Sequence, residues 1–312
     1  MTVLEAIQKS ADFLAKKGVD SPRLQTELLL AHLLKMPRMK LYLNFERALT
    51  PAETDSLREC IKRRGQREPL QHITGSTSFC GYEIAVNRQV LVPRPETEIL
   101  AELSWNLLST LNPQPSTALD FGTGSGCIAI ALATKCPSAK IVATDISPDA
   151  LALAKDNAAR NNVAGRIEFL QSDGFAALHP GGRIPRASNI RDEDGDSRRS
   201  PLRNTEFDLL VSNPPYIPSA EIATLQPEVR DFDPRGALDG GTDGLDFYRL
   251  IAREAGTFLK PGGRVLLEFG DGQAEAIRKI FEEEKWVVEA VREDYSQRER
   301  ILIAKSSSSS SS

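Results

Sequence analysis

Apolar and polar positions change their period along this chain, and the changes divide it. Over the first seventy residues apolar side chains recur at helical spacing. Thr2-Val3-Leu4-Glu5 is a capping-box pattern and Gly18 a stop, which predicts a first helix between them. Asp20-Ser21-Pro22 opens a second helix, with Leu24, Leu28, Leu29 and Leu33 as its expected apolar face. Thr50-Pro51-Ala52-Glu53 opens another, with proline at its first position. From His72 to Val92 the runs become short and β-like, among them Tyr-Glu-Ile-Ala-Val, and lead into Leu-Val-Pro-Arg-Pro-Glu-Thr-Glu at 91–98.

After Ser116 apolar runs and helical periods alternate. Strands are expected at 118–121, 140–145, 167–173, 207–213 and 263–270, then in Trp-Val-Val-Glu-Ala-Val and Arg-Ile-Leu-Ile-Ala-Lys. Helices are expected after the first two, over 242–260 and over 273–284. Buried strands alternating with helices predict an α/β fold, a mostly parallel sheet covered on both faces. Residues 180–205, rich in Arg, acid, Gly, Pro and Ser, read as a flexible insertion between the third and fourth strands. The serine run 306–312 reads as a disordered tail.

Composition narrows the function. A chain of 312 residues with 40% hydrophobic and 26% charged side chains is ordinary for one large domain or two smaller ones. A net charge of −4 supplies no basic footprint for nucleic acid, so no direct nucleic-acid partner is expected. No apolar run reaches the roughly 18 residues that span a bilayer, and the start lacks a signal-peptide pattern. A cytoplasmic monomer is the expectation. Cys60, Cys80, Cys127 and Cys136 form no Cys-x-x-Cys pair and the histidines are scattered, which predicts neither a metal site nor a disulfide framework.

Three loops carry the candidate chemistry. Leu119-Asp120-Phe121-Gly122-Thr123-Gly124-Ser125-Gly126-Cys127 sets glycines between a strand and a helix, where backbone can approach a ligand closely. Dinucleotide and S-adenosylmethionine sites both use such loops, but the spacing lacks the third glycine of the dinucleotide fingerprint. Asp145 ends the next strand, where a carboxylate can accept both hydroxyls of a ribose. Asp173, before Gly174, could meet an adenine amino group or simply open a turn.

The third loop is Asn213-Pro214-Pro215-Tyr216. Two prolines forbid continuation of strand or helix and stiffen the turn. The Asn213 side-chain oxygen and the Pro214 carbonyl could each accept one N–H of a planar NH2 group, orienting its nitrogen for methyl transfer. Tyr216 could stack on the acceptor. An amide and a nucleobase amine fit this clamp equally well. A base methyltransferase, a silent cofactor-binding module and an NAD-dependent oxidoreductase are therefore the competing readings, the last disfavoured by the glycine spacing.

Taken in order, Arg-Glu-Pro-Leu-Gln-His-Ile-Thr-Gly, the 91–98 segment, the glycine loop, Ala-Thr-Asp-Ile-Ser-Pro-Asp-Ala-Leu, the 207–218 segment, the run from Glu228 to Leu245 and Leu-Leu-Glu-Phe-Gly resemble the PrmC/HemK family over about residues 3–304. These are the release-factor glutamine methyltransferases. The resemblance implies a class I S-adenosylmethionine-dependent methyltransferase fold, Rossmann-like with a seven-stranded sheet and a small helical N-terminal domain. It implies domains at 1–70 (partner docking), 71–98 (linker) and 99–305 (catalysis). It implies methylation of the glutamine amide nitrogen in the Gly-Gly-Gln loop of class 1 peptide chain release factors. Gly122, Thr123, Gly124, Ser125, Gly126, Asp145, Asp173, Gly174 and Asn213 would hold S-adenosyl-L-methionine, and Asn213, Pro214, Pro215 and Tyr216 the acceptor. Arg94, Glu96 and Glu98 are assigned no catalytic role. Three positions depart from the family: Gly174 stands where an aromatic is frequent, so Phe175 or another residue would have to cover the adenine, and His72 and Cys80 replace tyrosine and tryptophan.

Overall fold

The structure is a computed structural model and describes residues 1–111, 115–179 and 206–306. The insertion read at 180–205 and residues 307–312 of the tail lie outside the described residues. Ser306, counted with the tail above, is the last residue of the final strand and pairs with Trp286.

The chain divides into two compact units. The first comprises Met1–Thr77, Val86–Arg88 and Thr224–Asp233. Its helices are α1 (Val3–Lys16), α2 (Pro22–Leu33), α3 (Arg38–Tyr42), α4 (Pro51–Gly65) and α5 (Leu70–Thr74). The expected capping box of Thr2 with Glu5 forms, and the structure adds a second, Thr50 with Glu53. The apolar face of α2 differs from the sequence expectation. Leu24 is 42% exposed, while Leu29 and Leu30 are fully buried beside Glu27 at 2% exposure. Burying that carboxylate turns the helix, and it is tolerated because Arg23, Arg38 and the Tyr42 hydroxyl all donate to it at 2.9–3.1 Å. His72, expected in a β-like run, lies in α5, which ends where Gly75 takes a left-handed φ of 81°. The short helix Pro227–Arg230 belongs to this unit because Glu228 accepts from both Arg64 and Arg67 at 2.6–2.7 Å.

The second unit carries a hairpin strand, the long helices and the main sheet. In chain order after α5 the elements are β1 (Ser76–Phe79), β2 (Tyr82–Ala85), α6 (Pro95–Thr110), β3 (Thr117–Phe121), α7 (Cys127–Lys135), β4 (Lys140–Asp145), α8 (Pro148–Arg160), β5 (Ile167–Gln171) and β6 (Phe207–Ser212). Past the short helix α9 (Pro227–Arg230) come α10 (Asp246–Glu254), β7 (Leu259–Glu268), α11 (Ala274–Glu283), β8 (Trp286–Glu293) and β9 (Glu299–Ser306). Cys80 and Gly81, both at positive φ, make the two-residue turn of the hairpin.

The sheet order is β5-β4-β3-β6-β7-β9-β8, parallel from β5 through β7, with β9 antiparallel to both β7 and β8. This is the seven-stranded sheet expected of a class I methyltransferase. The chain leaves β3 toward β4 on one side and returns to β6 on the other. That reversal opens a crevice at the carboxyl ends of β3 and β6. Under it lies a core that includes Phe121, Phe175, Phe207, Tyr248 and Phe269.

The helix expected over 242–260 is shorter in the structure. Gly241 and Gly244 adopt φ of 90° and 78°, so α10 starts only at Asp246. Ala255–Phe258 tightens into a 3-10 turn, and Lys260 already belongs to β7, where its ammonium pairs with Asp208 at 2.7 Å.

Candidate active site

The glycine loop leaves β3 through three left-handed glycines, Gly122, Gly124 and Gly126, at φ 73°, 54° and 81°. They do two different jobs. A Cβ at Gly122 or Gly124 would meet nothing within 4 Å, and both residues line a cavity of about 300 Å³. Gly126 does not line it. A Cβ there would sit 3.0 Å from the Ala154 Cβ, so this glycine lets α7 approach α8. Gly126→Ala is expected to lower stability by about 1–3 kcal/mol, from left-handed strain plus crowding. Urea unfolding should show a lower midpoint with an unchanged slope.

Two buried side chains that the sequence reading did not single out fix the loop. Asp120, inside β3, accepts from the Thr123 hydroxyl at 2.6 Å and the Ala129 amide at 3.1 Å. Complete burial pushes its pKa up to about 7 against these donors, with Asp145 adding to the rise. Asn157 of α8 donates to the Ser125 carbonyl at 2.9 Å and exchanges two bonds with the Ala85 backbone. An asparagine among alanines in a helix is the signal that could have found it, since asparagine is a poor helix former unless its amide is used.

Asp145, the last residue of β4, accepts from the Gly124 amide at 2.8 Å and the Ser147 amide at 2.9 Å. Burial raises its pKa, opposed by backbone donors from Ser147, Gly124 and Ile146. A carboxylate has about four lone-pair positions, so the Gly124 and Ser147 bonds leave acceptor capacity for ribose hydroxyls. Asp173 stands two residues beyond the end of β5 and lines the same cavity with Gly174. Phe175 cannot cover a ligand there. It is 1% exposed and sits between Phe121 and Phe258, with ring centroids 4.8 and 5.1 Å away. Ile146, 60% exposed, and Phe247 are among the apolar side chains that line the cavity.

At the end of β6, Ser212 donates to the Phe121 carbonyl at 2.6 Å, clamping the two loops together. Asn213 follows. Its amide nitrogen donates to Thr97 Oγ1 at 3.1 Å and to Glu268 Oε1 at 3.0 Å. Asn213, Pro214 and Pro215 line the cavity with Gly122 and Gly124. Tyr216 does not. Its ring lies where a Cβ on Gly270 would be 2.9 Å away, and its carbonyl accepts from Gln273 at 2.9 Å. Burial, with Glu268 adding, pushes its phenol above the usual tyrosine value. Arg94 and Thr97 also line the cavity, whereas Glu98 is used by the Cys80 amide at 2.8 Å.

Similarity to known proteins follows this geometry. Residues 5–75 match the family described as PrmC N-terminal domain, and residues 102–182 match the methyltransferase small domain. A release factor glutamine methyltransferase of Geobacter sulfurreducens is 42% identical over 280 residues, 90% of this chain and 88% of that protein. One from Moorella thermoacetica is 38% identical, over 97% of this chain and 98% of its own. This chain belongs to the release factor glutamine methyltransferase family. Among solved structures, the release factor-specific protein-(glutamine-N5) methyltransferase of Alicyclobacillus acidocaldarius is 26% identical, over 69% of this chain and 93% of its own, with a TM-score of 0.38.

Within this release factor glutamine methyltransferase family member, Glu268, bonded to Asn213, is a further residue beside the site that the sequence alone does not single out. It was visible in Leu-Leu-Glu-Phe-Gly as an acid inside an otherwise apolar run, and it is 3% exposed. Among the described residues no helix is long and apolar enough to cross a membrane, and no group of three or more His, Cys, Asp or Glu could hold a metal ion.

Proposed function

We propose that this chain transfers a methyl group from S-adenosyl-L-methionine to the side-chain amide nitrogen of the glutamine in the Gly-Gly-Gln loop of class 1 peptide chain release factors. The observation that carries this reading is a single cavity lined by Gly122, Gly124, Asp145 and Asn213. The residues fit the cofactor: two glycines with open space above them suit close backbone approach, and Asp145 keeps acceptor capacity for ribose hydroxyls. Thr123 and Ser125 complete the loop, and Asp173, Gly174 and Ile146 would border the adenine. Bound S-adenosylmethionine supplies an electrophilic methyl group on a sulfonium.

The acceptor is a poor nucleophile because its nitrogen lone pair is delocalised into the carbonyl. The protein's task is therefore orientation. Asn213 Oδ1 accepts one N–H and the Pro214 carbonyl the other, which turns the lone pair toward the methyl and favours positive charge as it develops on nitrogen. Pro215 stiffens the turn, and Tyr216 braces it from the Gly270 side. No strong base is needed, since the proton is acidic once charge has formed. The helical residues 1–70 would dock the release factor, and the enzyme would act as a cytoplasmic monomer without binding nucleic acid directly.

Tritiated S-adenosylmethionine tests this with a class 1 release factor and its Gln→Ala form. Label is expected on the Gly-Gly-Gln protein alone. Label on RNA or DNA, with none on the release factor, would overturn the reading.

A further inference from the structure

We infer that Glu268, with Thr97, is a positioning residue that fixes the orientation of the Asn213 amide, so that its oxygen and not its nitrogen meets the acceptor. This rests on the function proposed above. The juxtaposition comes from the sheet. β6 and β7 pair in register with Ser212 opposite Leu267, so Asn213, just past the end of β6, and Glu268, the last residue of β7, emerge side by side. The Asn213 nitrogen lies 3.0 Å from Glu268 Oε1 and 3.1 Å from Thr97 Oγ1, and Thr97 is also hydrogen-bonded to the Glu268 carboxylate.

An ionised carboxylate can only accept hydrogen bonds. Against it, the Asn213 amide has one permitted orientation: NH2 toward Glu268, Oδ1 away. Only that orientation offers an acceptor to an N–H of the substrate. A protonated carboxyl can donate instead. Its O–H would be satisfied by Asn213 Oδ1, the amide could turn over, and an NH2 would then face the substrate NH2. The ionised state also draws charge through the amide and strengthens Oδ1 as an acceptor, because bonds to an ionised partner are about twice as strong as neutral ones.

Several groups decide the ionisation. Burial dominates and raises the Glu268 pKa to about 7; Thr97, Arg300 and Asn213 oppose this, while Glu96 adds to it. Tyr216 faces Glu268 from the Asn213 loop, within reach of Arg94, and Tyr248 of α10 donates to the Glu268 carbonyl at 2.7 Å. Among the described residues Glu268 Oε2 is buried without a hydrogen-bond partner, which adds to the cost of the ionised form. The sign follows: the working form is ionised, so activity falls as pH falls through the pKa.

The test is kcat and KM for methyl transfer to a release factor between about pH 5.5 and 8.5, a window that spans that ionisation. Wild-type kcat should rise along a single limb to a plateau. Glu268→Gln should lower plateau kcat about 10- to 100-fold, keep KM within about threefold, and lose the limb. Thr97→Val should move the limb to higher pH, because it removes a bond that favours the ionised form. Calorimetric binding of S-adenosylhomocysteine by each variant, equal to wild type, shows that the fold is retained. A Glu268→Gln enzyme with wild-type kcat and an unchanged limb would overturn the inference. Should wild-type enzyme label no release factor, the proposed substrate fails instead. The positioning role is then decided by the 15N resonance of the Asn213 side-chain amide: titration near neutral pH in wild type but not in Glu268→Gln supports it, and a flat response in both overturns it.

Discussion

Asn213→Ala enzyme is expected to bind S-adenosylhomocysteine within a few-fold of wild type and to lose about a thousandfold in kcat. The expectation follows from what the residue does and does not touch. Among the described residues no hydrogen bond joins the Asn213 side chain to the glycine loop or to Asp145; its amide nitrogen donates to Thr97 and Glu268. Its oxygen is the group left for the acceptor. Removing one preorganised hydrogen-bonding group from a transition state costs about 100- to 1000-fold, or roughly 3–4 kcal/mol. Alanine adds a second loss, because Glu268 and Thr97 are left without their shared donor. Single-turnover transfer from labelled cofactor, beside calorimetry, separates the two quantities. A variant that keeps turnover within tenfold of wild type would remove Asn213 from the mechanism.

Asp145→Ala has the other large effect, and it falls on the cofactor. A carboxylate accepting two ribose hydroxyls contributes two charge-assisted bonds of about 1.5–3 kcal/mol each. Losing both weakens cofactor affinity about 100- to 1000-fold, allowing for water that replaces part of the loss. The same substitution strips the Gly124 and Ser147 amides of their acceptor, so the loop itself loosens. At saturating cofactor, kcat is expected within a few-fold of wild type. Calorimetry and the cofactor KM read this directly. Unchanged affinity would mean that Asp145 only caps the turn into α8.

How much of this was legible in the sequence depends on how local each cause is. β4 was read to the residue, because Lys-Ile-Val-Ala-Thr-Asp is a short apolar run closed by a turn. The capping box of Thr2 with Glu5 was legible for the same reason: its partners sit three residues apart. The α2 face differs from its leucine spacing because that spacing says nothing about Arg38 and Tyr42, which arrive from α3 to compensate Glu27. The helix expected over 242–260 starts late because Gly241 and Gly244 take positive φ, a constraint that apolar periodicity does not show.

At the site, the glycine loop, Asp145 and the Asn-Pro-Pro run announced themselves as motifs. Their division of labour did not. Gly126 looks like its neighbours in sequence, yet only packing against Ala154 reveals that it serves a helix contact. The direction of the Tyr216 ring depends on Gly270, far along the chain. Glu268 acquires meaning only when β7 pairs with β6 and sets its carboxylate beside Asn213. These are relations across the sheet, and a single sequence carries no distance between strands.

The measurement that bears most directly on the account is fragmentation mass spectrometry of a class 1 release factor after incubation with this enzyme and S-adenosylmethionine. The account predicts one methyl group, on the side-chain amide nitrogen of the Gly-Gly-Gln glutamine, absent when Asn213→Ala enzyme is used. A methyl group on any other residue, or an unmodified glutamine after complete reaction with cofactor, would contradict it.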